Sequence, residues 1–185
     1  MSFGDDTSGR VIGEIVAGDF GLLLGRRTYE IFAAYWPNHD DNPIGKAFNK
    51  ATKYVVTNSL HQLDWKNSQK IDGNTVTEVR RLKASPGPQL HIWGSGDLLQ
   101  TLIAADLVDE FRIWVYPVVL GKGKRLFENG LPPRALTLVE SQRTSDGVLM
   151  NTYQPAGPVP KAPTQREKPS KAELVRRKKL KKEST

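Results

Sequence analysis

Two apolar runs that each end at glycine and lead into a helical pattern restrict the fold more than any other feature. Phe20–Leu24 ends at Gly25, and Gln89–Trp93 ends at Gly94. Runs this short and apolar are typical of strands buried on both faces, as in a parallel sheet. After each glycine, apolar residues recur at helical spacing. The sequence therefore predicts strand–turn–helix units, which belong to α/β domains.

The pattern along the chain predicts alternating elements first and strands later. We expect helices at 8–17, 28–35, 44–51, 76–84 and 97–105, and early strands at 20–24, 53–57, 69–71 and 89–93. After Asp106, a strand is predicted at 111–120 and a hairpin at 135–144 and 148–154. The hairpin turn contains Asp146-Gly147, which tolerates positive φ. We therefore expect a mainly parallel sheet with an antiparallel finish.

The formal charge of +7 is confined to the end of the chain. Residues 161–185 carry ten basic and three acidic side chains, whereas residues 1–160 carry seventeen of each. A uniformly basic nucleic-acid-binding domain is therefore disfavoured. Five prolines between Pro155 and Pro169 predict a linker. The sequence thus predicts a domain at 1–154, and at 155–185 a linker and a basic tail that is disordered or weakly helical.

Residue composition excludes several kinds of site. The chain has no cysteine, which excludes disulfides and thiol nucleophiles and fits a cytoplasmic protein. His39, His61 and His91 show no metal-ligand spacing, so we expect no metal site. No apolar run approaches the ~20 residues of a membrane span, and the first residues lack a signal-peptide pattern.

The first glycine turn is a candidate anion site. Gly25, Arg26, Arg27 and Thr28 follow a strand and open a helix, where unpaired backbone N–H groups and the helix dipole favour an anion. Guanidinium groups bind phosphate well. An ordinary strand–helix turn with exposed arginines is the alternative interpretation.

The second glycine turn, residues 94–97, is a similar candidate. It is not the dinucleotide fingerprint G-x-G-x-x-G, because Leu99 stands at the third glycine. A glycine turn capped by Ser95 or Asp97 is the alternative. If both turns lie on one sheet, they form a shared phosphate site. A third strand end, 57–59, adds three small polar side chains.

The Gly121–Lys124 segment is not a phosphate-binding P-loop, because it lacks the spacer and the following Ser or Thr. We interpret it as a hairpin turn or bulge. No catalytic Ser–His–Asp spacing is visible, and tryptophans such as Trp36 are typical of a core or a pocket wall.

Several ordered motifs resemble one known family. They are residues 22–30 (LLLGRRTYE), 35–37 (YWP), 54–60 (YVVTNSL), 93–98 (WGSGDL), 108–110 (VDE) and 117–127 (PVVLGKGKRLF). Together they resemble the dihydrofolate reductase-like superfamily, and within it the reductase domain of the bifunctional riboflavin biosynthesis deaminase–reductase and its stand-alone relatives. The resemblance covers residues 8–154.

The resemblance implies a three-layer α/β/α fold with a mixed eight-stranded sheet, an NADPH cofactor and hydride transfer to a small heterocyclic C=N or C=O substrate. It also implies a homodimer through the late strands. The matching cofactor positions are Leu24, Gly25, Arg26, Arg27, Thr28, Thr57, Asn58, Ser59, Gly94, Ser95, Gly96, Asp97 and Leu98. Asp6 and Trp36 are candidate substrate residues, and no catalytic acid is assigned.

The chain departs from the family pattern in two ways. The deaminase half is absent. The first strand of the family, which lies between the strands matching 89–93 and 111–120, also has no counterpart. We therefore expect these two strands to lack a partner. Our hypothesis is that the true start lies upstream; the alternatives are a sheet that closes differently or borrows a strand from another chain, and an impaired domain.

A second hypothesis remains open. The chain could be a non-catalytic nucleotide-binding or interaction module whose basic tail contacts nucleic acid or an acidic partner. That hypothesis predicts salt-sensitive binding that is lost when residues 161–185 are deleted. The reductase hypothesis predicts stabilisation by NADPH with or without the tail.

Overall fold

A computed structural model describes residues 5–60, 62–127, 130–160 and 169–183. Its helices are α1 Asp6–Ala17, α2 Arg26–Tyr35, α3 Pro43–Lys50, α4 Thr75–Ala84, α5 Gly96–Ala104 and α6 Lys171–Glu183. Its strands are β1 Phe20–Gly25, β2 Thr52–Val56, β3 Ser68–Ile71, β4 Gln89–His91, β5 Phe111–Val115, β6 Leu136–Arg143 and β7 Leu149–Pro155. A 3₁₀ turn spans Trp36–Asn38.

The first four strands form a parallel sheet in the order β3-β2-β1-β4. Strand β1 is central, with Gly25 opposite Val56 on one side and Leu22 opposite His91 on the other. Leu22, Leu23 and Leu24 are all buried, because both faces of β1 are covered. The prediction of parallel strand–turn–helix units is therefore confirmed.

Helices cover both faces of this sheet. On one face, Leu22 and Leu24 pack in a core with residues of α1, α2 and α3, among them Val16, Tyr29 and Phe48. On the other face, Leu23 packs with residues of α4 and α5, namely Val79, Leu98 and Leu102. The three-layer α/β/α arrangement is confirmed.

The last three strands form a separate antiparallel sheet in the order β5-β7-β6. The predicted hairpin is confirmed, with Gly147 at φ +89 in its turn. The resemblance implied one mixed eight-stranded sheet, but the described residues form one sheet of four strands and one of three. Strands β4 and β5 are sheet edges, as expected for the two strands that lack a partner between them.

The predicted strand at 111–120 is wrong beyond Val115. Pro117 has no backbone N–H to donate to a ladder. Two tight turns then replace the strand: the Val118 N–H donates to the Tyr116 carbonyl at 2.8 Å, and the Lys122 N–H donates to the Leu120 carbonyl at 2.9 Å. We call residues 116–127 the late loop. The prediction of a turn at Gly121 fits its φ of +73, but this turn does not join two strands of a hairpin.

A fully buried lysine of β2 binds the C-terminal end of α3. The Lys53 ammonium donates to the carbonyl oxygens of Phe48, Asn49 and Ala51 at 2.9, 3.0 and 2.9 Å. It also lies 4.2 Å from the centroid of the Trp65 ring. These carbonyls lie at the helix C-terminus, where backbone acceptors lack helical partners and a cation is favoured. Burial, followed by the nearby charge of Lys66, lowers the pKa of Lys53 to about 8.

Asp5 joins α1 to the antiparallel hairpin. One carboxylate oxygen accepts the Ser8 N–H at 3.1 Å and so caps α1. The other accepts the Ser145 backbone N–H at 2.8 Å and its hydroxyl at 3.0 Å. The hydrogen bond from the Ser145 backbone, followed by that from the Ser8 backbone, lowers the pKa of Asp5.

The tail, predicted to be disordered or weakly helical, contains the helix α6. The Ser170 hydroxyl accepts the Glu173 N–H at 3.2 Å. Most of the predicted linker, residues 161–168, lies outside the described residues, as does the N-terminal segment 1–4. In the part of the chain that the structure describes, no helix has both the length and the apolar character needed to cross a membrane.

Candidate functional site

The two predicted glycine turns lie side by side at the carboxyl ends of the strands of the parallel sheet. Strands β1 and β4 are neighbours and run parallel, so both of their carboxyl ends reach this end of the sheet. The helix after β1 packs on one face of the sheet, and the helix after β4 packs on the opposite face. The chain therefore leaves the two strands in opposite directions, and such a switch point opens a crevice suited to ligands.

Helices α2 and α5 begin at this crevice without a side-chain cap. The N-cap residues of the other body helices, Asp5, Asn42 and Asn74, each accept a backbone N–H from the first turn. Gly25 and Ser95, which occupy the same position in α2 and α5, form no such bond with the described residues. The two helices that face the crevice thus present their first N–H groups to it.

Two hydrogen bonds connect the turns. The Ser95 hydroxyl accepts the Gly25 N–H at 3.0 Å, and the Thr28 hydroxyl accepts the Ser95 N–H at 2.9 Å. Ser95 adopts the left-handed conformation at φ +51, and Gly94 precedes it at φ +66. A Cβ on Gly94 would lie 3.3 Å from the Thr28 side chain. Glycine is therefore favoured there by both its backbone conformation and the close approach of α2.

The turns border an open cavity of about 430 Å³, which we call the junction cavity. Its lining combines backbone from both turns with polar and charged side chains. The lining residues are Gly25, Arg26, Arg27, Thr28, Val56, Thr75, Ser95, Gly96, Asp97, Leu98, Thr101 and Lys124. A volume of this size is typical of a small-molecule or cofactor pocket.

Three cationic side chains line the junction cavity. Arg26 forms an ion pair with Glu30 at 3.0 Å within α2. Lys124, from the late loop, pairs with Asp97 in the first turn of α5 at 3.1 Å. Arg27 is exposed and makes no ion pair with any other described residue. Its guanidinium group is therefore available to an incoming anion.

The donor set of the junction cavity fits a group with several phosphates. Two helix N-termini supply backbone N–H donors, and Arg27 supplies a guanidinium fork. At Gly96 an added Cβ would meet no atom within 4 Å, so the backbone of α5 borders open space. The site can therefore bind a phosphorylated ligand at this end of the sheet.

Most of the predicted glycine-turn residues line the junction cavity, and the other predicted positions do not. Leu24 is fully buried, and Gly94 lies beneath the turn against Thr28. The Thr57 hydroxyl accepts the N–H groups of Ser59 and Leu60 at 3.2 Å, so it is used within its own turn. Asn58 and Ser59 are exposed beyond β2, outside this lining.

The two candidate substrate residues lie elsewhere. Asp6 is exposed in the first turn of α1. Trp36 packs against the core, with its ring 5.1 Å from that of Phe48. Neither lines the junction cavity, and their roles stay predictions.

Sequence reasoning missed four lining residues: Val56, Thr75, Thr101 and Lys124. Thr101 lies one helical turn after Asp97, which places both on the same face of α5 and gave a usable signal. Lys124 lies in the Gly121–Lys124 segment, for which the sequence predicts a turn and no part in binding. Its approach to the cavity depends on how the late loop folds back onto α5.

A metal site is not formed by the described residues. No group of His, Asp and Glu side chains among them has the arrangement to hold a metal ion. His91 stacks on Phe20, with 4.6 Å between ring centroids, and burial lowers its pKa. His61 lies outside the described residues.

A second cavity, of about 260 Å³, lies between the end of α5 and the antiparallel sheet. It is lined mainly by apolar side chains such as Ile103, Phe111 and Leu136. Its Arg134 pairs with Asp106 at 2.5 Å. It contains no helix N-terminus, so it lacks the anion-binding features of the junction cavity.

Known proteins resemble the chain in both sequence and fold. YyaP of Bacillus subtilis (strain 168) is 32% identical over 136 residues, which is 71% of this chain and 72% of YyaP. Among solved structures, a "Putative riboflavin biosynthesis protein" from Shewanella sp. PV-4 has a TM-score of 0.63 at 23% identity, covering 77% of each chain. A pyrimidine reductase-like protein from Corynebacterium diphtheriae has a TM-score of 0.52 at 13% identity, covering 82% of each.

A family model agrees with these likenesses. The model of the RibD C-terminal domain matches residues 3–150, which is most of the chain. The match supports a reductase-type function, and so an oxidoreductase. By the extent of this match and the likeness to YyaP, the chain belongs to the RibD C-terminal domain family.

Proposed function

We propose that the protein is an NADPH-dependent reductase that transfers a hydride to a small heterocyclic substrate with a C=N or C=O bond. One observation carries the proposal: the two helices without a side-chain cap both open into the junction cavity. A dinucleotide phosphate has the negative charge that such N-termini favour. The RibD C-terminal domain match supports the reductase chemistry.

Each turn has a separate part in holding the cofactor. The N–H groups at the start of α5 bind the pyrophosphate, and the bonds among Gly25, Thr28 and Ser95 fix the geometry of both turns. Arg27 binds the 2′-phosphate, because its guanidinium group has no carboxylate partner among the described residues. NADPH supplies the hydride when bound, and the protein positions it against the substrate.

Thermal unfolding with and without nucleotide tests the proposal. A ligand at 100 times its Kd adds about 2.7 kcal/mol to the free energy of unfolding. For a domain of this size, that raises Tm by roughly 5–10 °C. We expect this rise with NADPH and a smaller one with NADH at equal concentration. Deletion of residues 161–185 should leave the rise unchanged. If neither nucleotide raises Tm, the proposed function is wrong.

A matched pair of variants tests whether NADPH binds at the junction cavity. Arg27→Gln removes the cation that faces the junction cavity, whereas Arg80→Gln removes an exposed cation on α4 outside it. We expect Arg27→Gln to weaken NADPH binding about tenfold with little change for NADH, as for loss of one charge-assisted contact. Arg80→Gln should bind as the wild type does. Equal effects of the two variants would contradict the role given to Arg27.

The enzyme acts as a homodimer in this proposal. Apolar side chains are exposed on the antiparallel sheet and the late loop, among them Val115, Val119, Leu120, Leu138 and Leu149. Such a concentration of apolar surface favours association, and a second copy of the chain is the proposed partner. Light scattering should give twice the monomer mass of 20.6 kDa. A paired Val119→Glu, Leu120→Glu change should yield the monomer, while a monomeric wild type would contradict the dimer.

A further inference from the structure

Helix α6 carries cationic side chains on all of its sides. Consecutive residues of a helix are rotated by about 100°. The cations of its described side chains are Lys171, Arg176, Arg177, Lys178, Lys179 and Lys181, and at this rotation they spread around the whole axis. Over its 13 residues the helix is about 20 Å long. It is therefore a short, exposed, cationic rod.

The apolar residues of α6 form no stripe. Leu174, Val175 and Leu180 are all exposed, and their positions along the helix place them on three faces about 100° or more apart. A helix that enters an apolar groove, or lies in a membrane surface, needs its apolar side chains on one face. The partner of α6 is therefore recognised by charge rather than by apolar contact.

Charge density increases towards the C-terminal half of the helix. Glu173 accepts from Arg176 at 2.6 Å and from Arg177 at 2.8 Å, and these bonds lower the pKa of Glu173 to about 2. Between residues 178 and 181 there is no acidic side chain. Cations in the last turns also interact favourably with the helix dipole, so the same residues stabilise the helix.

We propose that α6 binds B-form duplex DNA by lying in the major groove and contacting phosphates on both walls. The groove is ~12 Å wide, and a helix with its side chains is ~10–12 Å across. Both walls of the groove are rows of phosphates, so a helix charged on every side can use most of its cations. A flat anionic membrane meets one side of the rod. The narrow major groove of A-form RNA does not admit a helix.

The contacts in this proposal are made to phosphates, which carry no sequence information directly. Residues 171–181 contain no Asn or Gln, the side chains that read adenine in the major groove, and the six cations are spread around the helix axis rather than gathered on one side facing the bases. The RibD C-terminal domain match ends at residue 150, so the tail adds this property to the reductase domain. The inference is independent of the proposed function.

Fluorescence anisotropy of the full-length protein with a labelled 24-base-pair duplex tests the proposal. The test variant is Lys178→Gln, Lys179→Gln, Lys181→Gln, and the matched control is Lys46→Gln, Lys66→Gln, Lys122→Gln, which removes the same charge from exposed positions of the body. Loss of three phosphate contacts should flatten the slope of log K against log salt by about 2.7. We expect the tail variant to bind at least tenfold more weakly in 50 mM salt and the control to bind within twofold of wild type. Equal losses in the two variants would overturn the proposal.

Two further measurements separate major-groove binding from simple charge attraction. Val175→Pro interrupts the helix and keeps every charge, so it should bind the duplex several-fold more weakly. Vesicles with one third phosphatidylserine and a 24-base-pair RNA duplex should both bind more weakly than the DNA duplex. Unchanged DNA binding by Val175→Pro, or tighter binding to vesicles or RNA than to DNA, would overturn the groove assignment.

Discussion

The hydroxyl oxygen of Thr28 accepts the backbone N–H of Ser95 at 2.9 Å, across 67 residues of sequence. The bond joins the first turn of α2 to the N-cap of α5. It holds Ser95 in its left-handed conformation, which in turn directs the Ser95 hydroxyl to the Gly25 N–H. The two halves of the candidate cofactor site therefore depend on one side chain.

Replacement of Thr28 by valine should loosen this junction. Valine keeps the shape and removes the acceptor, so the Ser95 N–H loses its partner at a cost of ~1–3 kcal/mol. We expect a lower free energy of unfolding in urea and weaker NADPH binding. Thr28→Ser keeps the hydroxyl and should bind NADPH nearly as the wild type does. If the valine variant matches the serine variant in both measurements, the bond has no role in the site.

In the Lys124–Asp97 ion pair, Lys124 should reduce the repulsion between the Asp97 carboxylate and a phosphate in the junction cavity. Asp97 lies in the first turn of α5, where its carboxylate competes with an incoming phosphate, and Lys124 offsets that charge at 3.1 Å. We expect Lys124→Met to weaken NADPH binding by about two- to fivefold, the effect of an exposed ion pair. Asp97→Asn should strengthen binding. In the double variant the loss from Lys124→Met should shrink, and titration calorimetry on all four proteins measures this coupling. Strictly additive effects would show that the pair does not act together.

Lys53 should make the free energy of unfolding depend on pH between about 8 and 10.5. Burial lowers its pKa from the usual 10.5 to about 8, so between these values the unfolded chain binds more protons at this residue than the folded one. The contribution of Lys53 to the free energy of unfolding therefore rises with pH across this window. Lys53→Met removes a donor that three carbonyls share and should be less stable at pH 7. Urea unfolding at pH 7, 8.5 and 10 measures the difference in free energy of unfolding between wild type and variant, and this difference should increase with pH. A constant difference would contradict the lowered pKa of Lys53.

Asp5 should contribute stability that is lost in acid. Its pKa lies below the usual 3.8, so the folded protein holds fewer protons there than the unfolded chain, and the contribution is complete above that value. It disappears as pH falls through the lower, folded-state pKa. We expect Asp5→Asn to lower Tm at pH 7, and this deficit should close in strong acid. Asp6→Asn, a change at the neighbouring exposed carboxylate, should lower Tm less. A deficit of equal size at every pH would show that the charge of Asp5 is not responsible.

The sequence predicts local features well where they depend on neighbours in the chain. The apolar run before Gly25 identifies a buried strand, and the Asp146-Gly147 pair identifies the hairpin. The length of β5 was wrong because β-branched residues continue beyond Val115, whereas Pro117 and two tight turns end the ladder. Strand propensity indicates which segments are able to form a strand. The missing N–H of Pro117 is what prevents the residues after Val115 from continuing this one.

Features that depend on distant segments could not be predicted. The Thr28–Ser95 bond requires β1 and β4 to be neighbours, although two other strands separate them in the chain. Lys53 occupies a position in a strand where a lysine is normally exposed. The carbonyls that it binds lie only two to five residues before it, at the turn from α3 into β2, and the pattern of either element does not show that its side chain folds back onto them. Lys124 reaches the junction cavity because the late loop lies against α5, which its own segment does not show.

The break in the ladder between β4 and β5 divides the body into two mechanical units. Among the described residues, the parallel and antiparallel sheets share no strand, so force passes between them through side chains and connecting segments. In the described lining of the junction cavity, Lys124 is the sole residue from beyond α5. The late loop that carries it begins where β5 ends. A displacement of the antiparallel sheet would therefore reach the junction cavity through the late loop, by the Lys124–Asp97 ion pair and by the bond from the Gln100 side chain to the Leu126 carbonyl at 2.6 Å.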